Sequence, residues 1–158
     1  MTPDIINSQV RILVGKELGM SIAQYKVGEL WGSFMPLRKT ILNENGTDRF
    51  SVSVYPKNYF REFDPAKEFI KWAAVEVTEA SAIPPGLDSM IIPAGLYAVF
   101  HYKGLNTDTS IFDYIFNNWL PKSGFAIDDR PHFEILGAKY KNNDPQSEEE
   151  IWIPVKKS

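Results

Sequence analysis

The sequence predicts an α+β fold made of two similar halves, each reading strand, helix, strand, strand. Three observations carry this. Short runs alternate apolar and polar residues with the period of a strand, as in Phe50-Ser51-Val52-Ser53-Val54-Tyr55. Two longer segments place apolar residues at helical spacing, each with one tryptophan, Trp31 in the first half and Trp119 in the second. Turn residues separate the segments in the same order twice. Residue identity between the halves is low, so the repeat is one of pattern. With no low-complexity segment or linker, residues 1–158 are expected to form one domain.

Taken in order, the first strand is expected from Gln9 to Leu18, where Val10, Ile12 and Val14 alternate. A helix is expected from about Ser21 to Lys39 through Leu30, Trp31, Phe34 and Leu37, with Gly28, Gly32 and Pro36 weakening its pattern. Asn45-Gly46 is turn-forming, the Phe50–Tyr55 strand stops at Pro56, and Lys71 to Glu79 alternates again. Ile83-Pro84-Pro85-Gly86 is a turn. In the second half, Gly95 to Tyr102 is a strand. Thr107 or Asp108 can cap a helix running through Ile111, Phe112, Ile115, Phe116 and Trp119. Leu120-Pro121-Lys122-Ser123-Gly124 ends it. Two strands follow, near His132 to Tyr140 and Glu149 to Val155, around the turn Asn142-Asn143-Asp144-Pro145.

Composition excludes several function classes. A net charge of −3 without a basic stripe argues against direct nucleic-acid binding. The absence of cysteine removes disulfides, thiolate nucleophiles and thiolate metal sites. The N-terminal residues lack the basic start and apolar run of a signal peptide, and no apolar run approaches the roughly 20 residues that cross a bilayer. A cytoplasmic protein without membrane contact is therefore expected. His101 and His132 lack the spacing of a metal set, and no phosphate-binding loop, dinucleotide fingerprint or nucleophile elbow is present. Neither a metal nor a cofactor is expected. Aromatics make up 13% of the chain, more than a plain core requires, which fits a recognition surface.

Glu134 is the most informative residue, a lone carboxylate between Phe133 and Ile135 and so on the strand face opposite both. Helices should cover the more apolar face of the sheet. That rule sends Val52, Val54, Val75, Val77, Phe133, Ile135, Ile151 and Ile153 toward the helices. The other face then collects Ser53, Tyr55, Trp72, Glu76, His132, Glu134 and Trp152. Aromatics gathered around a carboxylate suit a small-molecule site. Trp31 and Trp119 read as core, and Glu148-Glu149-Glu150 as a solvated strand entry that blunts an edge with charge.

Trp119-Leu120-Pro121-Lys122-Ser123-Gly124, His132-Phe133-Glu134 and Glu150-Ile151-Trp152-Ile153-Pro154-Val155 resemble the gyrase-inhibitor-like (GyrI-like) effector-binding domain. That domain is the ligand-sensing half of many AraC-type and MerR-type multidrug regulators. Trp72 to Val77 and Ile92 to Phe100 resemble it as well, so the likeness spans nearly the whole chain in order. It implies duplicated βαββ units related by a pseudo-twofold axis, antiparallel sheets with one long helix per half, and a ligand groove between the halves. It also implies a pocket glutamate at Glu134 and pocket aromatics at Trp72 and Tyr97. One departure is Leu136, where the family often has a tyrosine two residues after the glutamate; this argues against a phenol beside the carboxylate. Another is that the two halves use everything from residue 9 onward, which implies a stand-alone sensor or sequestering domain.

The expected function is binding of small hydrophobic, cationic or amphipathic ligands, with Glu134 as anchor and Trp72, Tyr97, Tyr55 and Trp152 as aromatic walls. A carboxylate in an apolar cavity costs several kcal/mol unless compensated, and an incoming cation supplies the compensation. Flanking rings add roughly 0.5–2 kcal/mol each through cation–π contact. Two alternatives stay open. Some members resembling this family hydrolyse strained, DNA-alkylating natural products of the cyclopropane type with a glutamate, which would make Glu134 a general acid or base. The family name also suggests a protein partner, either gyrase or a transcription regulator.

Overall fold

A computed structural model describes residues 1–158. Nine strands are β1 (Asp4–Ser8), β2 (Arg11–Ser21), β3 (Glu44–Val54), β4 (Glu68–Val77), β5 (Asp88–Ile92), β6 (Gly95–Lys103), β7 (Phe125–Ile127), β8 (His132–Leu136) and β9 (Glu148–Lys157). Helix α1 is Val27–Arg38. Helix α2 is continuous through an α-helical Ser110–Tyr114, a π-helical turn Ile115–Trp119 and a last turn Leu120–Lys122. The expected helices are thus present, the first starting six residues later than its apolar spacing suggested. Pro36 lacks the N–H that would reach Gly32, and α1 stops two residues beyond it. Sequence reading missed β1, β5 and the three-residue β7, all short; β1 and β5 lie at the sheet edges and β7 pairs only with β9.

The main sheet runs β1-β6-β9-β8-β3-β4-β2-β5, and β7 adds to β9. Every pairing is antiparallel. Two connections determine its shape. Gln9 and Val10 alone join β1 to β2, and Pro93 and Ala94 alone join β5 to β6. Each link spans three Cα–Cα steps, at most about 11 Å. Each nevertheless joins strands six positions apart in the sheet, roughly 29 Å if the sheet were flat. The sheet must curl until its ends approach, giving a half-barrel.

That curl creates an interior without helices. Leu13, Phe50, Val52, Trp72, Tyr97 and Trp152 belong to one buried cluster drawn from both ends of the sheet. Phe133 and Trp152 stack at 5.1 Å, and Tyr97 meets both edge-on at 5.2 and 5.7 Å. Arg11 lies across this cluster, its guanidinium 5.1 Å from the Trp152 ring centre and its Nη1 donating to Glu76 Oε1 at 3.0 Å. The helices cover only the flanks of the outer face. Leu30 and Phe34 of α1 pack on Val14, Ala73 and Val75 of β2 and β4. Ile111 and Ile115 of α2 pack on Phe100, Ile151 and Ile153 of β6 and β9.

This arrangement corrects the sequence-based face assignment at the centre of the sheet. Val75, Val77, Ile151 and Ile153 do face the helices. Val52, Phe133 and their neighbours Val54 and Ile135 face the half-barrel interior instead. The interior takes the most apolar side chains because the curl buries them, while the middle of the helix side is left uncovered.

Gly15 shows how tightly β2 and β4 approach. A Cβ there would lie 2.0 Å from the Ala73 carbonyl oxygen and 2.7 Å from Ala74 Cα, both backbone atoms. Gly15→Ala is therefore expected to destabilise the fold by about 3 kcal/mol, the upper end for overpacking. A lower urea midpoint with an unchanged m-value checks this; an unaltered midpoint contradicts it.

Candidate functional site

Because α1 lies over β2 and β4, and α2 over β6 and β9, the two central strands β3 and β8 form the floor of a groove between the helices. Register fixes what lines it. Glu134 stands opposite Ser51 on one side and Ile151 on the other, and His132 stands opposite Ser53. Ser53 in turn stands opposite Lys71. Ser51, Ser53, Lys71 and His132 are all buried, an unusual polar set for a helix-side sheet face. Lys71 Nζ donates to Ser53 Oγ at 2.9 Å, which satisfies part of the buried ammonium.

Glu149 joins Glu134 in this groove. It lies two residues before Ile151, the direct partner of Glu134, so it shares the face and is the diagonal neighbour. Burial first, then the charge of Glu134 and a hydrogen bond to it, push the Glu149 carboxyl up to about 8, with Lys71 opposing. Burial and the neighbouring Glu134 thus favour the protonated form of Glu149 at neutral pH. The solvated strand entry expected for Glu148-Glu149-Glu150 is thus corrected at its middle residue: the strand period that sends Ile151 and Ile153 to the helix side carries Glu149 there too.

Two phenols stand beside the pair, supplied from elements other than β8. Tyr25, between β2 and α1, is pushed up to about 12 by burial of its hydroxyl and then by Glu134 and Glu149, although the residue keeps 55% of its surface exposed. Tyr140, after β8, is raised by burial and by the same two carboxylates. Leu136 leaves the position two residues after Glu134 apolar, yet phenols reach the carboxylates from these two loops.

The far end of the groove is aromatic. His132 meets Tyr55 edge-on at 4.9 Å and stacks on Phe60 at 5.3 Å, and Phe60 stacks on Phe116 of α2 at 5.3 Å. The segment after β3 thereby reaches across to the second helix. A cavity of about 390 Å³ opens beyond this wall, bordered by Tyr55, Phe60, His132, Arg130 and Lys156. Burial, with Lys71 and Arg130 adding, pushes the His132 imidazole down to about 3, so it is neutral.

Of the residues singled out from sequence, Glu134 and Tyr55 come together on the groove side. Trp72, Tyr97 and Trp152 lie on the opposite face, buried in the half-barrel interior. The face swap at β3 and β8 separates the two sets. Trp119 packs on Phe100 at 5.2 Å, whereas Trp31 is half-buried and has the Arg49 guanidinium over its ring at 5.8 Å. Sequence reading missed Glu149, Lys71, Tyr25 and Tyr140. For Glu149 the parity with Ile151 was available; for the loop tyrosines no local signal exists.

Comparison with known proteins was consistent with this geometry. A family model described as a GyrI-like small molecule binding domain matches residues 1–156. The transcriptional regulator BrlR of Pseudomonas aeruginosa is 27% identical over 145 residues, covering 90% of this chain and 51% of BrlR. The chain thus spans about half the length of that curated relative. Among solved structures, SAV2435 bound to tetraphenylphosphonium superposes with a TM-score of 0.71 at 19% identity, covering 99% of this chain and 94% of that one. The EcmrR C-terminal domain gives a TM-score of 0.71 at 15% identity, with coverage of 99% and 98%.

The two shifted groups give stability a defined pH dependence. His132, ordinarily 6.5, falls to about 3 on folding, so the unfolded chain binds more protons between those values. Its contribution is complete above pH 6.5 and lost as pH falls toward 3. Glu149, ordinarily 4.5, rises to about 8, so the folded chain binds more protons between those values. Its contribution is complete below pH 4.5 and lost as pH rises through 8. The slopes oppose each other from pH 4.5 to 6.5, where these groups leave stability near its maximum. Urea midpoints should decline between pH 6.5 and 8, and Glu149→Gln should flatten that decline; an identical decline in the variant would exclude Glu149 as its source.

Proposed function

The chain belongs to the GyrI-like small-molecule-binding family, related to effector-binding domains of transcription regulators, and from that premise we propose that its ligands are lipophilic cations held over Glu134. The single observation behind this reading is the Glu134–Glu149 carboxyl pair on the floor of an aromatic groove. A cation above the pair gains from the Glu134 carboxylate, and it favours release of the Glu149 proton, which adds a second charge. Tyr25, Tyr140 and Trp31 at one end and Tyr55, Phe60 and Phe116 at the other offer apolar contact and ring faces. Trp72, Tyr97 and Trp152 support the floor from behind. Tetraphenylphosphonium, the molecule bound in SAV2435, carries the charge this site suits.

We read the molecule as one domain made of two copies of a βαββ unit. The strand order β6-β9-β8 followed by β3-β4-β2 supports this, because exchanging β2 with β6, β3 with β8 and β4 with β9 reverses it onto itself. The groove then lies on the pseudo-twofold axis, so a ligand there is contacted by both halves. That placement suits a sensor, since a ligand at the junction can change how the halves sit.

One observation favours a second reading. A carboxyl pair with one proton is also an acid–base pair, able to protonate a leaving group and activate water. Hydrolysis of electrophilic, cyclopropane-type compounds would use Glu134 as base and Glu149 as acid. Mass spectrometry of such a compound after incubation separates turnover from binding.

Titration with tetraphenylphosphonium should quench tryptophan fluorescence to saturation, with affinity rising as pH climbs through about 8 and Glu149 ionises. Glu134→Gln should weaken binding tenfold or more, about 1.4 kcal/mol. Tetraphenylborate, of matching shape and opposite charge, should bind far more weakly. Equal affinity of the Gln variant, or of the borate, overturns the cation reading.

A further inference from the structure

Arg49 is a second cation of the groove, besides Lys71, and its surroundings are odd. It lies on β3 opposite Val75 of β4 and Leu136 of β8, hence on the groove side. Its guanidinium stands 5.8 Å from the ring centre of Trp31 on α1 and 5.5 Å from that of Tyr140 after β8. Helix α1 and the connection after β8 thus hold it between aromatic rings. The side chain is half-buried and is engaged in no hydrogen bond or ion pair with the protein. The other arginines near an aromatic ring behave differently: Arg11 is paired with Glu76, and Arg130 with Asp128 at 2.8 Å.

A guanidinium free to choose normally takes a carboxylate as a bidentate partner. Glu134 and Glu149 lie within electrostatic reach of Tyr140, the ring Arg49 touches, yet they are joined to each other. The cage of rings next to a carboxyl pair has the composition that recognises organic cations. It already holds one. We propose that Arg49 is a tethered stand-in for the ligand's cation, occupying the Trp31–Tyr140 cage until a lipophilic cation displaces it.

This rests on the cation reading of the groove and adds a selectivity filter to it. Any ligand must match the ring contacts that Arg49 already makes before it gains anything there. A small, well-hydrated cation such as tetramethylammonium buries too little apolar area to do so. A large lipophilic one gains further area against Tyr55 and Phe116 and wins. Once displaced, the guanidinium has water and the groove rim available and stays charged, so nothing is lost but its ring contacts.

Arg49→Met removes the competitor and leaves an apolar chain of similar length; Arg49→Lys keeps a tethered cation. Fluorescence titration with tetraphenylphosphonium should show at least fivefold tighter binding for Arg49→Met and affinity within about twofold of the parent for Arg49→Lys. Tetramethylammonium should bind measurably only to Arg49→Met. Urea midpoints of both variants verify that the fold is retained. Unchanged or weaker tetraphenylphosphonium binding by Arg49→Met, alongside parent binding that still depends on Glu134, overturns the Arg49 role alone. Absence of binding by both the parent and Arg49→Met overturns the cation reading and this inference together.

Discussion

Two connections of two residues each, Gln9-Val10 and Pro93-Ala94, force an eight-strand path to curl until its ends nearly meet. Everything else about the molecule depends on that curl. A flat sheet of this order would have two equivalent faces, and helices would be needed on both. Curling turns one face inward, where Leu13, Val52 and Tyr97 are fully shielded without any helix. Only the outer face then needs cover. Two helices suffice for its flanks, and the strands between them stay open.

The polar floor of the groove follows from the same geometry. Ser51, Ser53, His132 and Glu134 could not occupy the half-barrel interior without unsatisfied polar atoms in an apolar space. On the outer face they have each other, Lys71 and the groove. Lys71 serves Ser53, His132 is neutral beneath Phe60, and Glu149 favours its protonated form beside Glu134. Lys71 and the glutamates thus face one another across one floor, which lowers the cost of burying them. Such a site is compatible with folding alone.

Much of this was legible in the sequence, and the failures at the site have two sources. Alternation identified the long strands, and helical spacing identified both helices. The odd parity of Glu134 between Phe133 and Ile135 marked it as facing away from the core. What failed was the assumption that the apolar face is the helix face. It held for β4 and β9, which lie beneath helices, and failed for β3 and β8, which do not. Nothing local distinguishes Val52 from Val75; only the strand order does, and that depends on pairings distant in sequence. Trp72 and Trp152 were therefore grouped with Glu134 although a sheet's thickness separates them. Tyr25 and Tyr140 were invisible for another reason, since loop residues reach a site through tertiary placement rather than through any period.

The separation of those tryptophans from the groove assigns different work to the two faces. Substitution at Trp152, stacked on Phe133 and bridged to Glu150 by its indole N–H at 3.1 Å, acts first on the packed interior. Since Phe133 and Glu134 are successive residues on β8, a disturbed interior also tilts the carboxylate above it. Floor and interior are two sides of one strand only five residues long. Loss of binding in an interior variant therefore does not identify a contact residue, whereas Glu134 and Arg49 point away from the interior and can be changed with the packing intact. Those two side chains, one anionic and one cationic, sit on neighbouring strands, so the proposed cation selectivity is tested most cleanly there.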